Sequence, residues 1–296
     1  MNLSAERLTQ PASLRTVQVG DLRVTYLPDG LTTMNARAWL PTAPEGFWSR
    51  HHEYVDTDTE AFVSGVGGLL IEYGERAMLI DAGFGPLTFR TGVGILRGGA
   101  LLDSLASVGR DPAEIETVAV THLHADHFGW LWQAVPGARR TPFAHAQVLI
   151  SEVEWQHRAL AAADGTTAEM LAVFAHQVRT VAEGDEVFPG VRVLALPGHT
   201  TGHTGFVIGS GEQRLVAFGD ALHSALQIAY PELSAMSDRD PVRSADVRHG
   251  LVEQLAVPGT LGYGCHFADV QFGNAIPDTG GHIWQPHRFR AADRSR

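Results

Sequence analysis

A chain of 296 residues is long enough for one large domain with a substantial buried core. It has 22 basic and 33 acidic residues and a net charge of −11, which disfavours nucleic acid and anionic membranes as partners. With one cysteine an intramolecular disulfide is excluded. The sequence also lacks the apolar run of a signal peptide or a membrane span, so we predict a cytoplasmic location.

The first predicted strand, Leu22 to Leu27, runs into Pro28-Asp29-Gly30, a combination typical of a tight reversal. We expect a long loop from there to about Asp58, because hydrophobic periodicity is poor in this stretch. Aromatic side chains lie between Trp39 and Tyr54, and long ordered loops are often functional. These aromatics either pin the loop to the core or form the wall of a pocket.

Beyond this loop, strands and helices alternate without a length-matched repeat. Strands are predicted at 68–73, 76–80, 115–121, 147–150, 191–196, 215–218 and 261–265, and helices at 101–109, 152–160 and 168–181. This alternation favours one domain of mixed α/β layers.

The stretch Thr121 to His127 is the part of the sequence richest in chemistry. It holds four side chains that can bind metal, namely His122, His124, Asp126 and His127. Imidazole and carboxylate groups together suit a borderline divalent ion such as zinc, manganese, iron or cobalt. In an extended backbone the first two histidines point the same way, whereas Asp126 and His127 must turn towards a second position. The spacing therefore indicates two ions rather than one.

Three later predicted strands also end in potential ligands, which are His199, Asp220 and His266. A fold that brought these ends to one edge would assemble a metal site. Asp81 also follows a predicted strand, at 76–80. Its carboxylate either forms a surface turn or accepts a hydrogen bond from the ring N–H of a ligand histidine.

The order His-x-His-x-Asp-His, then Gly-His, then Asp, then His resembles the signature of the metallo-β-lactamase superfamily, and the resemblance covers roughly residues 68–266. It implies a four-layer αββα sandwich in which two mixed β-sheets are flanked by helices. We predict that residues 21–276 form this domain, with an N-terminal arm at 1–20 and a C-terminal tail at 277–296. These two ends either mediate self-association, for example as a homodimer, or are loose.

The resemblance also implies roles for individual residues. The implied ligands of one ion are His122, His124 and His199, those of the other are Asp126, His127 and His266, and Asp220 bridges the two ions. Asp81 matches a supporting position, and Cys265 is assigned no metal. We expect two divalent ions, zinc first, with manganese, iron or cobalt as alternatives.

Two metal ions that share a hydroxide favour hydrolysis, with Asp126 orienting the nucleophile. The motifs look most like the group that contains N-acyl-homoserine lactonases and methyl parathion hydrolase, so we predict a hydrolase that opens a lactone or cleaves a related ester. The lactonases usually have tyrosine three residues after the bridging aspartate. Here His223 takes that position, as is familiar in the parathion-hydrolase-like branch, and it either donates to an oxyanion or packs beside the ligands.

The expected substrate is a small molecule with an apolar part. We predict that its pocket is lined from the segment Trp39 to Tyr54 and from Phe128, Trp130 and Trp132. Two other enzymes remain as alternatives, a thioesterase that resembles glyoxalase II and a β-lactam hydrolase. The non-enzymatic alternative is a binding module that metal ions stabilise.

Overall fold

The computed structural model describes residues 6–56, 58–210 and 213–289. Residues 1–5 of the predicted N-terminal arm and residues 290–296 of the predicted C-terminal tail lie outside the described residues.

The first sheet has nine strands in the spatial order β5-β6-β2-β3-β4-β7-β8-β9, with β1 paired to β2. Their bounds are β1 Arg15–Val19, β2 Leu22–Asn35, β3 Ala61–Tyr73, β4 Arg76–Ile80, β5 Thr88–Thr91, β6 Gly94–Arg97, β7 Ile115–Val120, β8 Gln147–Ser151 and β9 Val178–Val181. The run from β4 through β7 and β8 to β9 is parallel, whereas the other pairs are antiparallel, so the sheet is mixed.

The second sheet has seven strands that lie side by side in chain order. Their bounds are β10 Glu186–Phe188, β11 Val191–Ala195, β12 Thr204–Ser210, β13 Gln213–Ala217, β14 Thr260–Tyr263, β15 Phe272–Asp278 and β16 Gly281–Pro286. Only the β13–β14 pair is parallel, because a long helical crossover separates these two strands in sequence.

Helices cover the outer faces of both sheets. The α-helices whose bounds lie within the described residues are α1 Ala36–Trp39, α2 Phe47–Arg50, α3 Leu101–Ser107, α4 Ala125–Trp132, α5 Glu152–Gln156, α6 Ala168–Phe174 and α7 Pro241–Leu255. One apolar cluster lies between the two sheets, a second joins the first sheet to α3, α4 and α6, and a third joins the second sheet to α7. This order of layers confirms the predicted αββα sandwich. Among the described residues, no helix is both long and apolar enough to cross a membrane.

The predicted reversal at Pro28-Asp29-Gly30 is wrong, because β2 continues through it with a bulge between Pro28 and Gly30 and ends only at Asn35. A Cβ atom on Gly30 would lie 1.9 Å from the carbonyl oxygen of Arg97, so glycine here permits close packing of strands. The carboxylate of Asp29 is buried and accepts hydrogen bonds from five donors. These donors, at 2.7 to 3.1 Å, are the backbone N–H groups of Phe84, Gly85, Gly99 and Leu101 and the indole N–H of Trp130.

The structure also changes two predictions about the helical layer. The helix expected at 168–181 ends at Phe174, and residues 178–181 instead form β9, which pairs in parallel with β8. The predicted place of Phe128 and Trp130 in the substrate pocket is wrong as well. Both side chains are buried, together with the partly buried Trp132, in the apolar cluster between the first sheet and its helices.

Both ends of the described chain are attached to the sandwich. Strand β16 extends the second sheet beyond residue 277, where we expected the tail to begin. Near the other end, Arg7 and Arg15 form ion pairs with Asp269, at 2.8 and 3.2 Å, and the backbone N–H of Ser13 also donates to this carboxylate. The division into arm, domain and tail stays a prediction.

Candidate metal centre

The loop that leaves β7 and the first turn of α4 carry the sequence motif. His122 and His124 lie in the loop, and Asp126 and His127 lie at the start of the helix, which begins at Ala125. The change from extended backbone to helix separates the two pairs, as the spacing predicted.

The three later ligand candidates follow strands of the second sheet. His199 lies after β11, Asp220 in a 3-10 turn after β13, and His266 after β14. The turns need glycine at two places. Gly198 has φ +140° and Gly219 has φ +50°, and a Cβ atom on Gly219 would lie 2.7 Å from the ring of His203.

All seven predicted ligands come together at one edge of the sandwich. The first group is defined as His122, His124 and His199, and the second group as Asp126, His127 and His266. In the first group, His199 Nε2 is 3.0 Å from His124 Nδ1. In the second group, His127 Nε2 is 3.7 Å from Asp126 Oδ2 and His266 Nε2 is 3.9 Å from the same oxygen.

Asp220 lies between the two groups, with Oδ2 near the first group and both oxygens near His266 of the second, whose Nε2 is 3.2 Å from Oδ2. Its Oδ2 is 3.5 Å from His199 Nε2 and 3.8 Å from His122 Nε2. Its Oδ1 is 3.2 Å from His127 Nε2 and 3.1 Å from His266 Nε2. Burial opposes ionisation of Asp220, but the surrounding imidazoles outweigh it and hold the pKa of this carboxyl well below its usual range.

The residues of both groups fit divalent metal ions. His122 Nε2, His127 Nε2 and Asp220 Oδ1 are buried and have no hydrogen-bond partner in the described part of the chain. Buried polar atoms without partners are costly, so their convergence fits the binding of a cation. Imidazole nitrogens and carboxylate oxygens are the ligands that zinc and similar ions accept.

The two groups differ in their protonation. Burial lowers the pKa values of His122 and His199 well below the usual value, so these rings stay neutral, the form that binds metal. Burial opposes protonation of His127 and His266 too, but there the carboxylate of Asp220 outweighs it and raises both pKa values. The surroundings of the second group therefore stabilise a positive charge.

Asp81 supports the second group. Its Oδ2 is 2.8 Å from His127 Nδ1, and its Oδ1 accepts a hydrogen bond from the backbone N–H of Thr121 at 2.8 Å. With Nδ1–H donated to a carboxylate, the ring directs its Nε2 lone pair towards Asp220. Two roles were considered for Asp81, a surface turn and the orientation of a ligand histidine. The geometry favours the second.

Sequence reasoning missed Glu154, which connects the loops of the first group. Its buried carboxylate accepts hydrogen bonds from Leu123 N at 3.0 Å, Thr200 Oγ1 at 2.8 Å and Gly202 N at 2.9 Å. The residue lies in a short helix, and only its position just after a predicted strand could have drawn attention to it. Its hydrogen bonds hold the loop of His122 and His124 against the loop of His199.

Sequence reasoning also missed a buried ion pair behind the first group. Asp238 Oδ1 is 3.0 Å from His199 Nδ1, and Asp238 Oδ2 is 2.9 Å from Arg248 Nη1. Burial raises the pKa of Asp238, but the hydrogen bond with His199 outweighs it and the pKa falls to about 2. No sequence signal marked these residues, because Asp238 lies in a polar stretch and no element was predicted around Arg248.

His223 and Cys265 lie beside the predicted ligands. His223 is fully buried, its Nε2 is 3.2 Å from Asp220 Oδ2, and its ring stacks on His266 and meets the edge of Trp39.

Burial raises the pKa of the Cys265 thiol to about 12. A thiol that resists ionisation is a poor metal ligand.

The chain has an αββα sandwich whose strand ends carry histidines and carboxylates that can bind metal. This combination places it in the class of metal-binding α/β proteins. Residues 68–259, more than half of the chain, match the profile of the metallo-beta-lactamase superfamily. The chain belongs to this superfamily. It is also 30% identical over 205 residues to metallo-beta-lactamase domain-containing protein 1 of Xenopus laevis, an alignment that covers 68% of this chain and 76% of that protein.

Solved structures share nearly the whole architecture. AidC, a dizinc quorum-quenching lactonase solved in complex with a product, superposes with a TM-score of 0.80 at 20% identity and covers 94% of this chain and 99% of its own. The hydrolase AbOPH gives 0.80 at 23% identity, covering 95% and 99%. A probable metal-dependent hydrolase from Staphylococcus aureus gives 0.77 at 21% identity, covering 93% and 100%. At these identities, the likeness establishes the fold.

Proposed function

We propose that this protein is a dinuclear metal-dependent hydrolase that opens lactones or cleaves related esters. The observation that carries the proposal is the position of the Asp220 carboxylate between the first and second groups, with Oδ2 3.5 Å from His199 Nε2 and Oδ1 3.2 Å from His127 Nε2. A carboxylate shared in this way is the arrangement expected of a ligand that bridges two ions. Membership of the superfamily supports the assignment to metal-dependent hydrolases.

When two divalent ions are bound, they would polarise a substrate carbonyl and lower the pKa of an attacking water. The chain supplies the groups that orient these reactants. Asp126 has 19% of its side chain exposed against 5% for Asp220, so substrate and water reach it more readily. We propose that Asp126 accepts a hydrogen bond from the attacking water and so orients it. Asp220 holds the two groups at a fixed separation.

Lactones and related esters are the proposed substrates on two grounds. The first is the architecture shared with the lactonase AidC, which is a likeness of fold. The second is the apolar cluster next to the centre, in which α1 and α2 pack against residues 226–235 and Trp39 meets the edge of His223. An apolar wall of this kind suits a substrate with an acyl or aryl part.

His223 is the proposed donor to the oxygen on which negative charge develops. Both of its ring nitrogens are buried without a hydrogen-bond partner in the described part of the chain, and its Nε2 faces the carboxylate of Asp220. A buried imidazole with an uncommitted N–H can stabilise an oxyanion without first breaking another bond.

The test is a substrate panel. The protein is loaded separately with Zn²⁺, Mn²⁺, Fe²⁺ and Co²⁺ and assayed on acyl-homoserine lactones, aryl esters, phosphotriesters, glutathione thioesters and β-lactams. Turnover should be fastest on lactones or esters. Fastest turnover on thioesters or β-lactams would replace this proposal with the corresponding alternative. Two bound ions per chain without turnover on any substrate would favour a binding module.

Asp126→Asn tests the assigned carboxylate, with Asp246→Asn as the matched control, since Asp246 is exposed on α7. We expect kcat to fall about 100-fold in the first variant and to stay unchanged in the second. Circular dichroism and metal content are measured on both. Unchanged activity in a folded, metal-loaded Asp126→Asn protein would show that the role assigned to Asp126 is wrong.

A further inference from the structure

The side of His199 that faces away from the other ligands is fixed by a carboxylate. His199 Nδ1 lies 3.0 Å from Asp238 Oδ1, and the side chain of Asp238 has no exposed surface. The second oxygen of Asp238 is also occupied, because Oδ2 accepts hydrogen bonds from Arg248 and from the backbone N–H of Ala235. Asp238 therefore lacks a free oxygen for a metal ion, although it lies close to His199 and His223.

Arg248 is fully buried, which is rare for arginine unless all of its donors are used. Its Nη1 binds Asp238 at 2.9 Å, its Nη2 donates to Ser234 Oγ at 2.9 Å, and its Nε donates to the carbonyl oxygen of Pro231 at 2.6 Å. These three contacts fix the guanidinium, and the guanidinium in turn fixes Asp238. An ion pair held from α7 thus reaches the ligand His199.

This arrangement determines which nitrogen of His199 carries the proton. A carboxylate at Nδ1 requires Nδ1–H, and the Nε2 lone pair then points towards His124 Nδ1, 3.0 Å away, and Asp220 Oδ2, 3.5 Å away. We propose that Asp238 and Arg248 are positioning residues of the first group and determine how tightly it holds its metal ion. The proposal rests on the proposed metal centre, which it deepens.

The chain contains a comparable but more exposed arrangement beside the same group. His124 Nε2 lies 3.5 Å from Asp164 Oδ2, and Asp164 pairs with Arg239 at 2.5 Å. The side chains of this pair are 27% and 28% exposed, whereas those of Asp238 and Arg248 are 0% exposed. Exposed ion pairs contribute little because water competes with them, so Asp164 offers a matched control.

The experiment measures metal binding without a substrate. Wild-type protein, Asp238→Asn, Arg248→Lys and Asp164→Asn are freed of metal and titrated with Zn²⁺ against a chromophoric chelator, and with Co²⁺ by visible absorption. We expect Asp238→Asn to weaken the binding of one of the two ions by about 10–100-fold, because the tautomer and orientation of His199 are no longer fixed. Arg248→Lys, which keeps the charge, should be intermediate, and Asp164→Asn should change affinity by less than about threefold.

Unchanged affinity for both ions in Asp238→Asn would overturn the proposal. Equal weakening of both ions, together with a lower melting temperature of the metal-free protein, would show a merely structural pair and would also overturn it. If the variant does not fold, histidine ¹⁵N NMR of the zinc-loaded wild type decides, with His199→Asn used to assign the signal. A protonated, strongly hydrogen-bonded Nδ1 on His199 is expected, and an unprotonated Nδ1 would overturn the proposal. None of these measurements depends on turnover, so they stay informative even if the substrate panel fails.

Discussion

The first and second groups share Asp220 but are built from different parts of the chain. In the second group, Asp126 and His127 come from the motif, and His127 is oriented by Asp81, whose carboxylate also binds the motif residue Thr121. The first group depends on a residue 75 positions beyond His124 and on a buried ion pair further still along the chain. Each group thus combines two motif residues with one distant candidate ligand, and the groups differ in what orients a histidine: Asp81 in the second group, and the Asp238–Arg248 ion pair held from α7 in the first.

The groups also differ in charge. In the first group burial keeps His122 and His199 neutral, so the orientation of their rings provides the affinity for an ion. The second group includes Asp126, and Asp220 raises the pKa values of its two histidines. Negative charge therefore attracts a cation to the second group even when the geometry is imperfect. We expect the first group to lose its ion more readily when its supporting residues are changed.

The largest effect should come from Asp220→Asn, which removes the charge that both groups share. We expect kcat/KM to fall by more than about 100-fold, since even residues behind the ligands affect activity by 10–100-fold. Zinc content, measured by mass spectrometry, should fall below two ions per chain. Retention of two tightly bound ions would contradict the bridging role, and Asp246→Asn serves again as the control for charge.

His203 keeps the backbone of Asp220 in place and gives a pH-dependent test. Its Nδ1 donates to Leu196 O and its Nε2 accepts from the Asp220 N–H, so only the neutral ring satisfies both contacts. Burial lowers its pKa from 6.5 to about 4, and the unfolded chain therefore binds this proton first as the pH falls. The stability that His203 contributes is complete above about pH 6.5 and is lost as the pH falls to about 4, by at most about 3 kcal/mol.

Chemical unfolding of the metal-free wild type and His203→Gln measures this contribution. The difference in the free energy of unfolding between the two proteins should be larger at about pH 7.5 than at about pH 4.5. A difference that is the same at both pH values would show that His203 titrates in the folded protein as it does in the unfolded chain.

His223→Phe separates chemistry from metal binding. We expect kcat to fall about 100-fold with both ions retained, because the ring N–H that stabilises the oxyanion is lost while the packing against Trp39 is kept. His223→Tyr, which restores a hydrogen-bond donor on an aromatic ring, should restore part of the activity. Wild-type kcat in the phenylalanine variant would leave His223 with a packing role only.

Asp81→Asn changes the carboxylate that orients a histidine of the second group, as Asp238→Asn does in the first group. The two variants therefore compare the groups directly. Asparagine tolerates the left-handed backbone of residue 81, where φ is +61°, so the fold should survive. We expect the second group to bind its ion about 10–100-fold more weakly, while the Co²⁺ absorption of the first group stays unchanged. Loss of the same ion in both variants would mean that the two groups are not independently supported.

The parts of the site that sequence reasoning reached are those that belong to a motif or follow a predicted strand. The spacing of His122, His124, Asp126 and His127 indicated two positions, and Asp81 was considered because it follows a strand and precedes a glycine. Asp238 and Arg248 could not be predicted, since neither belongs to a motif and their contacts with each other and with His199 follow no periodic pattern. Such contacts arise from tertiary packing, which local patterns do not encode.

The fold shows the same division. The αββα order came from a resemblance rather than from periodicity, and the errors lie where tertiary contacts override local preference. Pro28-Asp29-Gly30 is typical of a turn, yet five donors around Asp29 hold it within β2. Phe128 and Trp130 lie next to the motif in sequence, but helical geometry directs their side chains into the core.

The attachment of Arg7 and Arg15 to Asp269 has a consequence for synthesis of the chain. Asp269 follows His266, so the loop that completes the second group is anchored by residues that leave the ribosome more than 250 positions earlier. The residues of the second group can therefore come together only after residues 266–269 have been synthesised. A chain interrupted before His266 would contain the whole first group, but it would lack one candidate ligand of the second group and the carboxylate that binds Arg7 and Arg15.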